Sequence, residues 1–265
     1  FLAYALAQWQ RPPVYVLLAG EGTYDYKNRY GYGDNLVPTV MAWTPQGLYG
    51  SDNWYADINS DRTPELAIGR LPALNADELQ RMINRIISYE TSLGSDWSKR
   101  VILVDDNNDN GGEFKQSSRG LMTTFPAEYS IQQVSLNDQT LSAARSALIK
   151  QLNNGYLIAN YFGHGGTDRW ATESLLTIAD ISPLANANRL PVVVAMSCAI
   201  GQFCIPGYDS LAEAFLLCKT GGAVAVWSPT GASLNEPATV LCGEFYRAIY
   251  EEGMGVLGEA TMKSI

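Results

Sequence analysis

Two residues of the chain have side chains suited to nucleophilic catalysis. His164 is the only histidine, and it stands in the glycine-rich segment Gly163-His-Gly-Gly166. Cys198 lies 34 positions later, directly after an apolar run. A thiolate attacks carbonyl carbon, and a nearby imidazole can take the thiol proton and later protonate a leaving amine. The pair therefore predicts acyl-transfer chemistry, with Cys198 as nucleophile and His164 as general base and acid.

Main-chain amides beside the two residues extend this hypothesis. Glycine lets a substrate approach the backbone, so the N–H groups of Gly165 and Cys198 are candidates to bind a developing oxyanion, where one donor contributes roughly 2.7 to 4 kcal/mol. Both side chains also have a structural interpretation. A histidine in a glycine turn can be purely structural, and a cysteine after an apolar strand often packs in a core.

The elements that would position these residues have the pattern of an α/β fold. Five short apolar runs are typical of strands buried on both faces, and they lie at residues 14–19, 100–104, 156–159, 191–195 and 223–227. Helix patterns lie between them at residues 75–93, 140–152 and 210–218. The alternation predicts a doubly wound parallel sheet with helices on both faces. If the strands before His164 and Cys198 are neighbours, both residues reach the sheet edge where ligands bind.

Composition and segment lengths limit the class of protein. The 265 residues are 46% hydrophobic and 17% charged, which is typical of a folded chain. No apolar run approaches the ~20 residues of a membrane-spanning helix, and the net charge of −9 argues against a nucleic-acid partner. Residues 21–61 form a polar stretch too long for an ordinary connection, which favours a functional loop. We expect a first α/β subdomain at residues 1–96 and a catalytic subdomain at 97–265.

The motifs around both residues resemble those of the gingipain-type cysteine peptidases, peptidase family C25 in the caspase-like clan. They are Tyr161-Phe-Gly-His-Gly-Gly166, Leu190-Pro-Val-Val-Val-Ala-Met-Ser-Cys198 and Gly201-Gln-Phe203. Similar segments follow in order along nearly the whole chain, among them Val14–Gly20, Ser51–Tyr55, Ala67–Pro72, Ile87–Glu90 and Gly221–Val226. The resemblance implies a cysteine endopeptidase on a caspase-like sheet. It also implies that residues 1–96 lack the family's first strands and that 97–265 lack its closing segment.

The resemblance carries expectations about partners and location. It implies protein or peptide substrates, no cofactor for the chemistry itself, further domains in the same polypeptide, and export to the cell surface or beyond. Two other functions are compatible with the same residues. One is a sortase-like enzyme that resolves its acyl-enzyme with an amine, and the other is an inactive, peptidase-like binding module of a large surface protein.

Substrate specificity is the point at which the chain departs from the arginine-specific members. By resemblance, the pocket for the P1 side chain, which precedes the scissile bond, includes Ser118, Met196 and Leu234. Ser118 stands where those members have an acid, and Leu234 where they have a tryptophan. Nothing then offsets the cost of burying a basic side chain. We expect a pocket for an uncharged residue.

Acidic residues predict two supporting features. The resemblance implies a carboxylate that orients the histidine, and Asp106 is the best match, with Asn107 as the alternative. A loop similar to part of an EF-hand places oxygen ligands for structural Ca²⁺ at its positions 1, 3, 5 and 9, namely Asp57, Asn59, Asp61 and Glu65. Arg62 replaces the usual glycine of such a loop, and Ile68 its glutamate. The stretch 105–111 has a similar alternation, and metal-free turns are the alternative for both.

Three cysteines remain outside this scheme. Cys218 and Cys242 lie in helix patterns and are expected in the core. Cys204 is six positions after Cys198, and a disulfide between the two would act as a redox lock.

Overall fold

The computed structural model describes residues 1–33 and 35–265. Its strands are β1 (Tyr15–Ala19), β2 (Val40–Thr44), β3 (Gly47–Ser51), β4 (Ala67–Leu71), β5 (Arg100–Asp105), β6 (Ser130–Ser135), β7 (Ile158–Phe162), β8 (Gly165–Gly166), β9 (Arg169–Trp170), β10 (Leu176–Thr177), β11 (Val192–Met196) and β12 (Ala225–Trp227). Its helices are α1 (Leu2–Gln8), α2 (Asn53–Ala56), α3 (Ala76–Ser92), α4 (Phe114–Gly120), α5 (Leu141–Asn154), α6 (Ile178–Ile181), α7 (Leu211–Leu217), α8 (Asn235–Tyr250) and α9 (Leu257–Ser264).

A five-stranded parallel sheet forms the centre of the molecule, in the order β12-β11-β7-β5-β6. Four of the five apolar runs form strands of this sheet, and β6 was not predicted. The prediction for residues 14–19 was wrong: that run forms β1, which pairs with β4 in a separate two-stranded sheet, so its residues alternate between exposed and half-buried positions. Strand β6 has the sequence Ser-Ile-Gln-Gln-Val-Ser and contains no apolar run. It lies at the edge of the sheet, where fewer of its residues are buried. The predicted α/β class and the parallel sheet are confirmed.

Helices cover both faces of this sheet, and successive strand residues alternate between two cores. One core packs α5 and α7 against residues such as Ile102, Tyr161 and Val193. The opposite core packs α4 and α8 against residues such as Leu103 and Phe162. The doubly wound arrangement expected from the sequence is therefore present. No helix in the described part of the chain is long and apolar enough to cross a membrane.

The first part of the chain forms smaller sheets beside this one. Strands β1 and β4 pair in parallel, and β2 and β3 form an antiparallel hairpin. The hairpin and α2 lie within the stretch 21–61, so that stretch is not wholly a loop as its composition suggested. The β-branched and aromatic residues Val40, Trp43 and Tyr49 favour these short strands. Helix α3 begins as predicted, because the side chain of Asn75 accepts the N–H of Glu78 at 3.0 Å.

The register of the central strands sets the position of the candidate residues. Strands β7 and β11 are direct parallel neighbours, and Met196 lies opposite Phe162 at their carboxyl ends. His164 and Cys198 each follow by two residues. The sole imidazole and this thiol therefore leave the sheet at the same edge, from adjacent strands.

Candidate active site

The loops after β7 and β11 lie against each other. A Cβ placed on Gly165 would lie 3.1 Å from the carbonyl oxygen of Cys198 and would overlap the side-chain oxygen of Ser197. A Cβ on Gly163 would overlap the Tyr161 hydroxyl and lie 2.5 Å from the Cβ of Asp106. Glycine is thus required on both sides of His164, because a side chain at 165 would collide with the loop after β11 and one at 163 with Tyr161 and Asp106.

Two buried groups hold the main chain at His164. The Tyr161 hydroxyl donates to the His164 carbonyl oxygen at 2.6 Å and accepts the N–H of Ala171 at 2.8 Å. A carboxylate oxygen of Asp106 accepts the N–H of His164 at 3.0 Å. Burial raises the pKa of Asp106, and the N–H groups of His164 and Asn107 oppose that rise. Asp106 therefore contacts the main chain of His164, not its ring.

The imidazole has a different carboxylate partner. Its Nε2 lies 3.0 Å and 3.2 Å from the two carboxylate oxygens of Asp109, a residue not selected from the sequence. The N–H of Gly111 and the neighbouring imidazole hold the pKa of Asp109 below its usual range. The ring of Phe114 meets the imidazole edge-on, with centroids 5.3 Å apart. In the sequence, Asp109 is one of several acidic residues in a turn-like stretch. Such stretches are common in proteins and usually have no catalytic role, so the sequence alone did not single it out.

Cys198 is the one partly exposed cysteine, and the other three are buried. Its sulfur lies 3.3 Å from both the carbonyl oxygen and the amide nitrogen of Ser233. The next residue, Ala199, has φ +58°, a left-handed conformation that is uncommon for a residue with a side chain. Such local strain is found at sites where surrounding contacts fix the backbone.

Two main-chain N–H groups beside these residues have no hydrogen-bond acceptor in the described part of the chain. Among the described residues, the N–H of Cys198 has no hydrogen-bond acceptor. The N–H of Ala171 donates to the His164 carbonyl oxygen, so the next pair, Gly165 and Trp170, is a non-hydrogen-bonded pair of the β8–β9 ladder. The N–H of Gly165 consequently points away from β9.

A cavity lies next to Cys198 on the side of helix α8. Its volume is about 420 Å³, within the range of about 300 to 1,000 Å³ that ligand pockets have in general. Met196 and Leu234, both predicted P1-pocket residues, line it together. Ser118 is fully buried on α4 and is not among its lining residues. The structure therefore brings two of the three predicted pocket residues together and leaves Ser118 in the core.

The predicted calcium loop gathers three of its four oxygen ligands. Carboxylate oxygens of Asp57, Asp61 and Glu65 lie within 4.8 Å of one another. The fourth, Asn59, accepts the N–H of Asp61 at 2.8 Å through its side-chain oxygen. Arg62 has φ +77°, so it adopts the conformation for which such a loop normally uses glycine. The converging carboxylates fit a hard cation with oxygen ligands.

The stretch 105–111 does not form a second such group, because its carboxylates have separate partners. Asp105 accepts hydrogen bonds from Gln133 and Ser135 on β6, Asp106 contacts His164 N–H, and Asp109 contacts the imidazole.

The cysteines other than Cys198 are structural. Cys218 and Cys242 are buried in the two cores, as predicted. The disulfide between Cys198 and Cys204 is not formed, since all four cysteines are free. The sulfur of Cys204 instead packs against Gly50 on β3, where a Cβ would lie 3.0 Å from it.

Known proteins are similar to the chain in sequence and in fold. The sequence profile of Peptidase family C25 matches residues 1–265. Gingipain R2 of Porphyromonas gingivalis is 25% identical over 189 residues, which cover 68% of this chain and 24% of that protein. A Lys-gingipain of the same organism is 25% identical over 163 residues, covering 58% of this chain and 9% of that protein. The chain therefore spans a quarter or less of the length of these relatives.

A solved structure shows the same fold over the whole chain. The crystal structure of the Arg-specific cysteine proteinase gingipain R superposes with a TM-score of 0.80 and 22% sequence identity. The match covers 100% of this chain and 60% of that one.

Proposed function

The chain belongs to Peptidase family C25, and we propose that it is a cysteine endopeptidase with Cys198 as nucleophile and His164 as general base and acid. One observation carries the proposal: adjacent parallel strands bring the only imidazole and the only partly exposed thiol to the same sheet edge. In the proposed first step, the thiol proton passes to His164 while sulfur bonds to the peptide carbonyl carbon. The amine then leaves with that proton, and water cleaves the thioester.

Each neighbouring group has a role in this mechanism. The free N–H groups of Gly165 and Cys198 would bind the oxyanion of the tetrahedral intermediate. Asp109 would hold the imidazole and stabilise its protonated form, whereas Asp106 would position His164 through the main chain. The N–H of Ser233, which already donates to the sulfur, would also donate to the thiolate.

We further propose that the P1 residue is uncharged. The relatives include Arg- and Lys-named gingipains at low identity, so the specificity of this chain rests on its own residues. Met196 and Leu234 offer no charge to a basic side chain, and the buried Ser118 supplies none. A peptide library cleaved only after Arg or Lys would contradict this proposal.

Residues 57–65 are proposed to hold structural Ca²⁺ through Asp57, Asp61 and Glu65, with no part in the chemical step. We expect chelator to lower the unfolding temperature of the protein. The Asp61→Asn variant, which removes one carboxylate charge, should show a smaller shift. Equal unfolding temperatures with chelator and with added Ca²⁺ would contradict the site.

Protein substrates, further domains of the same polypeptide and export to the cell surface or beyond complete the proposal. Fractionation of producing cells tests the location, because the protein should be found outside the cytoplasm.

Cleavage of peptides tests the proposed activity. Wild-type protein should cleave a mixed peptide library, and Cys198→Ala and His164→Ala should each abolish cleavage while keeping the wild-type unfolding temperature. Cys218→Ala is the matched control for loss of a thiol, since Cys218 lies in the core away from the site. Cleavage by the Cys198→Ala variant at the wild-type rate would contradict the assignment of the nucleophile.

A further inference from the structure

The cavity beside Cys198 has walls from two separate parts of the chain. Helix α8 and the loop before it contribute Leu234, Pro237, Ala238 and Leu241, and strand β11 contributes Met196. The remaining wall includes Gln46, at the tip of the β2–β3 hairpin far earlier in the sequence. The part of the chain before the central sheet thus contributes directly to the cavity.

Contacts at its base fix the hairpin over the cavity. A Cβ on Gly231 would lie 2.6 Å from the ring of Tyr49, so the ring packs directly on the main chain there. The carbonyl oxygen of Gly231 accepts the N–H of Ala199, the residue after the nucleophile, at 2.8 Å. The Tyr49 hydroxyl donates to the carbonyl oxygen of Gln46 at 3.3 Å. One run of contacts therefore connects the hairpin tip with the backbone that carries Cys198.

The chemistry of the cavity is apolar and uncharged. No charged side chain lines it within residues 1–33 and 35–265, and its polar side chains are those of Gln46 and Ser233. Cys198 does not line the cavity itself, but Ser233 lines it and contacts the sulfur of Cys198 through its main chain, so one residue separates the cavity from the reacting atom. An apolar side chain gains free energy on entering such a space, while an unpaired charge loses its hydration without compensation.

We propose that this cavity binds an aliphatic P1 side chain, of the size of leucine or methionine, and that the β2–β3 hairpin tip determines this specificity through Gln46. The inference rests on the proposed peptidase function, because the side chain must belong to a peptide whose carbonyl faces Cys198. Gln46 closes the cavity without supplying charge. A carboxylate at the same position would pair with a basic side chain.

Binding and cleavage separate this inference from the proposed activity. Binding is measured with the Cys198→Ala protein, which needs no chemistry, using peptides that differ only in having Leu, Lys or Asp at P1. We expect the Leu peptide to bind at least tenfold more tightly than the other two. Equal affinity for all three, or no binding of any, would overturn the inference. Cleavage by the protein with Cys198 intact is scored separately and tests only the activity.

Substitutions at the cavity test the assigned walls. In the Cys198→Ala background, Gln46→Glu should raise the affinity for the Lys peptide several-fold and leave the Leu peptide within twofold. Ala238→Val should weaken the Leu peptide about tenfold by narrowing the cavity. Val240→Leu lies on the same helix, is 64% exposed and does not line the cavity, so it should change neither affinity. An unchanged preference in both cavity variants would overturn the role of the hairpin and of α8.

Discussion

At the scale of single residues, the site depends on buried side chains that bind the main chain of His164. Tyr161 bridges two main-chain groups, and Asp106 accepts the His164 N–H from a buried position. Neither side chain reaches the reacting atoms. Both fix the loop so that the imidazole is in place before substrate arrives, which is where preorganisation contributes most to catalysis.

Removing the Tyr161 hydroxyl tests this support. Tyr161→Phe removes a buried hydroxyl that bonds both the His164 carbonyl and the Ala171 N–H, although these two groups keep the 2.8 Å hydrogen bond between them. We therefore expect about 1 kcal/mol lower free energy of unfolding and a lower kcat. Urea denaturation and peptide cleavage measure the two effects. Tyr4→Phe is the control because Tyr4 is exposed. Wild-type stability in Tyr161→Phe would mean that the bridge is unimportant.

The two aspartates near His164 should respond differently to substitution. Asp109→Asn removes the charge beside the imidazole at an exposed position, so kcat/KM should fall about tenfold or more without a change in unfolding temperature. Asp106→Asn should lower the unfolding temperature, because the residue is buried on the His164 N–H. Steady-state kinetics measures the loss of kcat/KM, and thermal unfolding measures the loss of stability, in each of the two variants. The reverse assignment, with Asp106 acting on the ring, would require the opposite pattern.

At the scale of elements, the catalytic loops depend on how the surrounding helices begin. Helix α7 follows the loop that carries Cys198, and its first turn has a reciprocal cap between Ser210 and Glu213. The sequence pattern at 210–218 predicted the start of this helix correctly, since the cap residues Ser210 and Glu213 act locally. The β2–β3 hairpin was missed for the opposite reason. Its short strands, Val40–Thr44 and Gly47–Ser51, stand within a stretch rich in Gly, Asn, Asp and Pro, and Tyr49 packs on Gly231 in a distant part of the chain, a contact that no local pattern encodes.

Loss of the α7 cap should affect stability more than chemistry. Ser210→Ala removes the acceptor of the Glu213 N–H and should cost about 1 kcal/mol of unfolding free energy. Ser142→Ala, at an exposed position inside α5, is the control and should cost nothing. Denaturant unfolding measures both. A Ser210→Ala protein as stable as Ser142→Ala would show that the cap is dispensable.

At the scale of the whole molecule, a buried pair of acids joins the first part of the chain to the catalytic part. Glu21 follows β1, and Glu213 lies in α7. Burial raises the pKa of Glu21, and burial together with the neighbouring Glu21 raises the pKa of Glu213 well above its usual range. Burial also raises the pKa of the neighbouring Asp209. The two parts therefore meet around carboxyls that favour protonation.

Stability should depend on pH in a defined direction. Carboxyls with raised pKa values hold protons more tightly when folded, so their contribution is full below the unfolded pKa near 4.5 and is lost as pH rises through the folded values. The contribution of these carboxyls to the free energy of unfolding should thus decline from about pH 4.5 upwards. Glu213→Gln should flatten the decline, while Gln still accepts the Ser210 N–H. Parallel pH profiles for wild type and Glu213→Gln would contradict this account.

Much of this architecture follows from local sequence, and the remainder depends on contacts between distant residues. The apolar runs predicted the central strands, because burial on both faces demands such runs, and strand ends then located His164 and Cys198. The ring partner Asp109 and the cavity wall at Gln46 depend on long-range packing that no local pattern encodes. Met196 and Leu234, which line the cavity proposed to bind P1, were selected only through family resemblance, and so was Ser118, which does not line that cavity.

The most direct test of the account is covalent labelling of the intact protein with an electrophilic peptide ketone that has Leu at P1. We predict a single adduct located on Cys198 by mass spectrometry, and none on the buried Cys204, Cys218 or Cys242. The adduct should be absent in Cys198→Ala and strongly reduced in His164→Ala. A folded wild-type protein that takes no label, or a Cys198→Ala variant labelled to the same extent, would contradict the central claim that these two residues form a working catalytic pair.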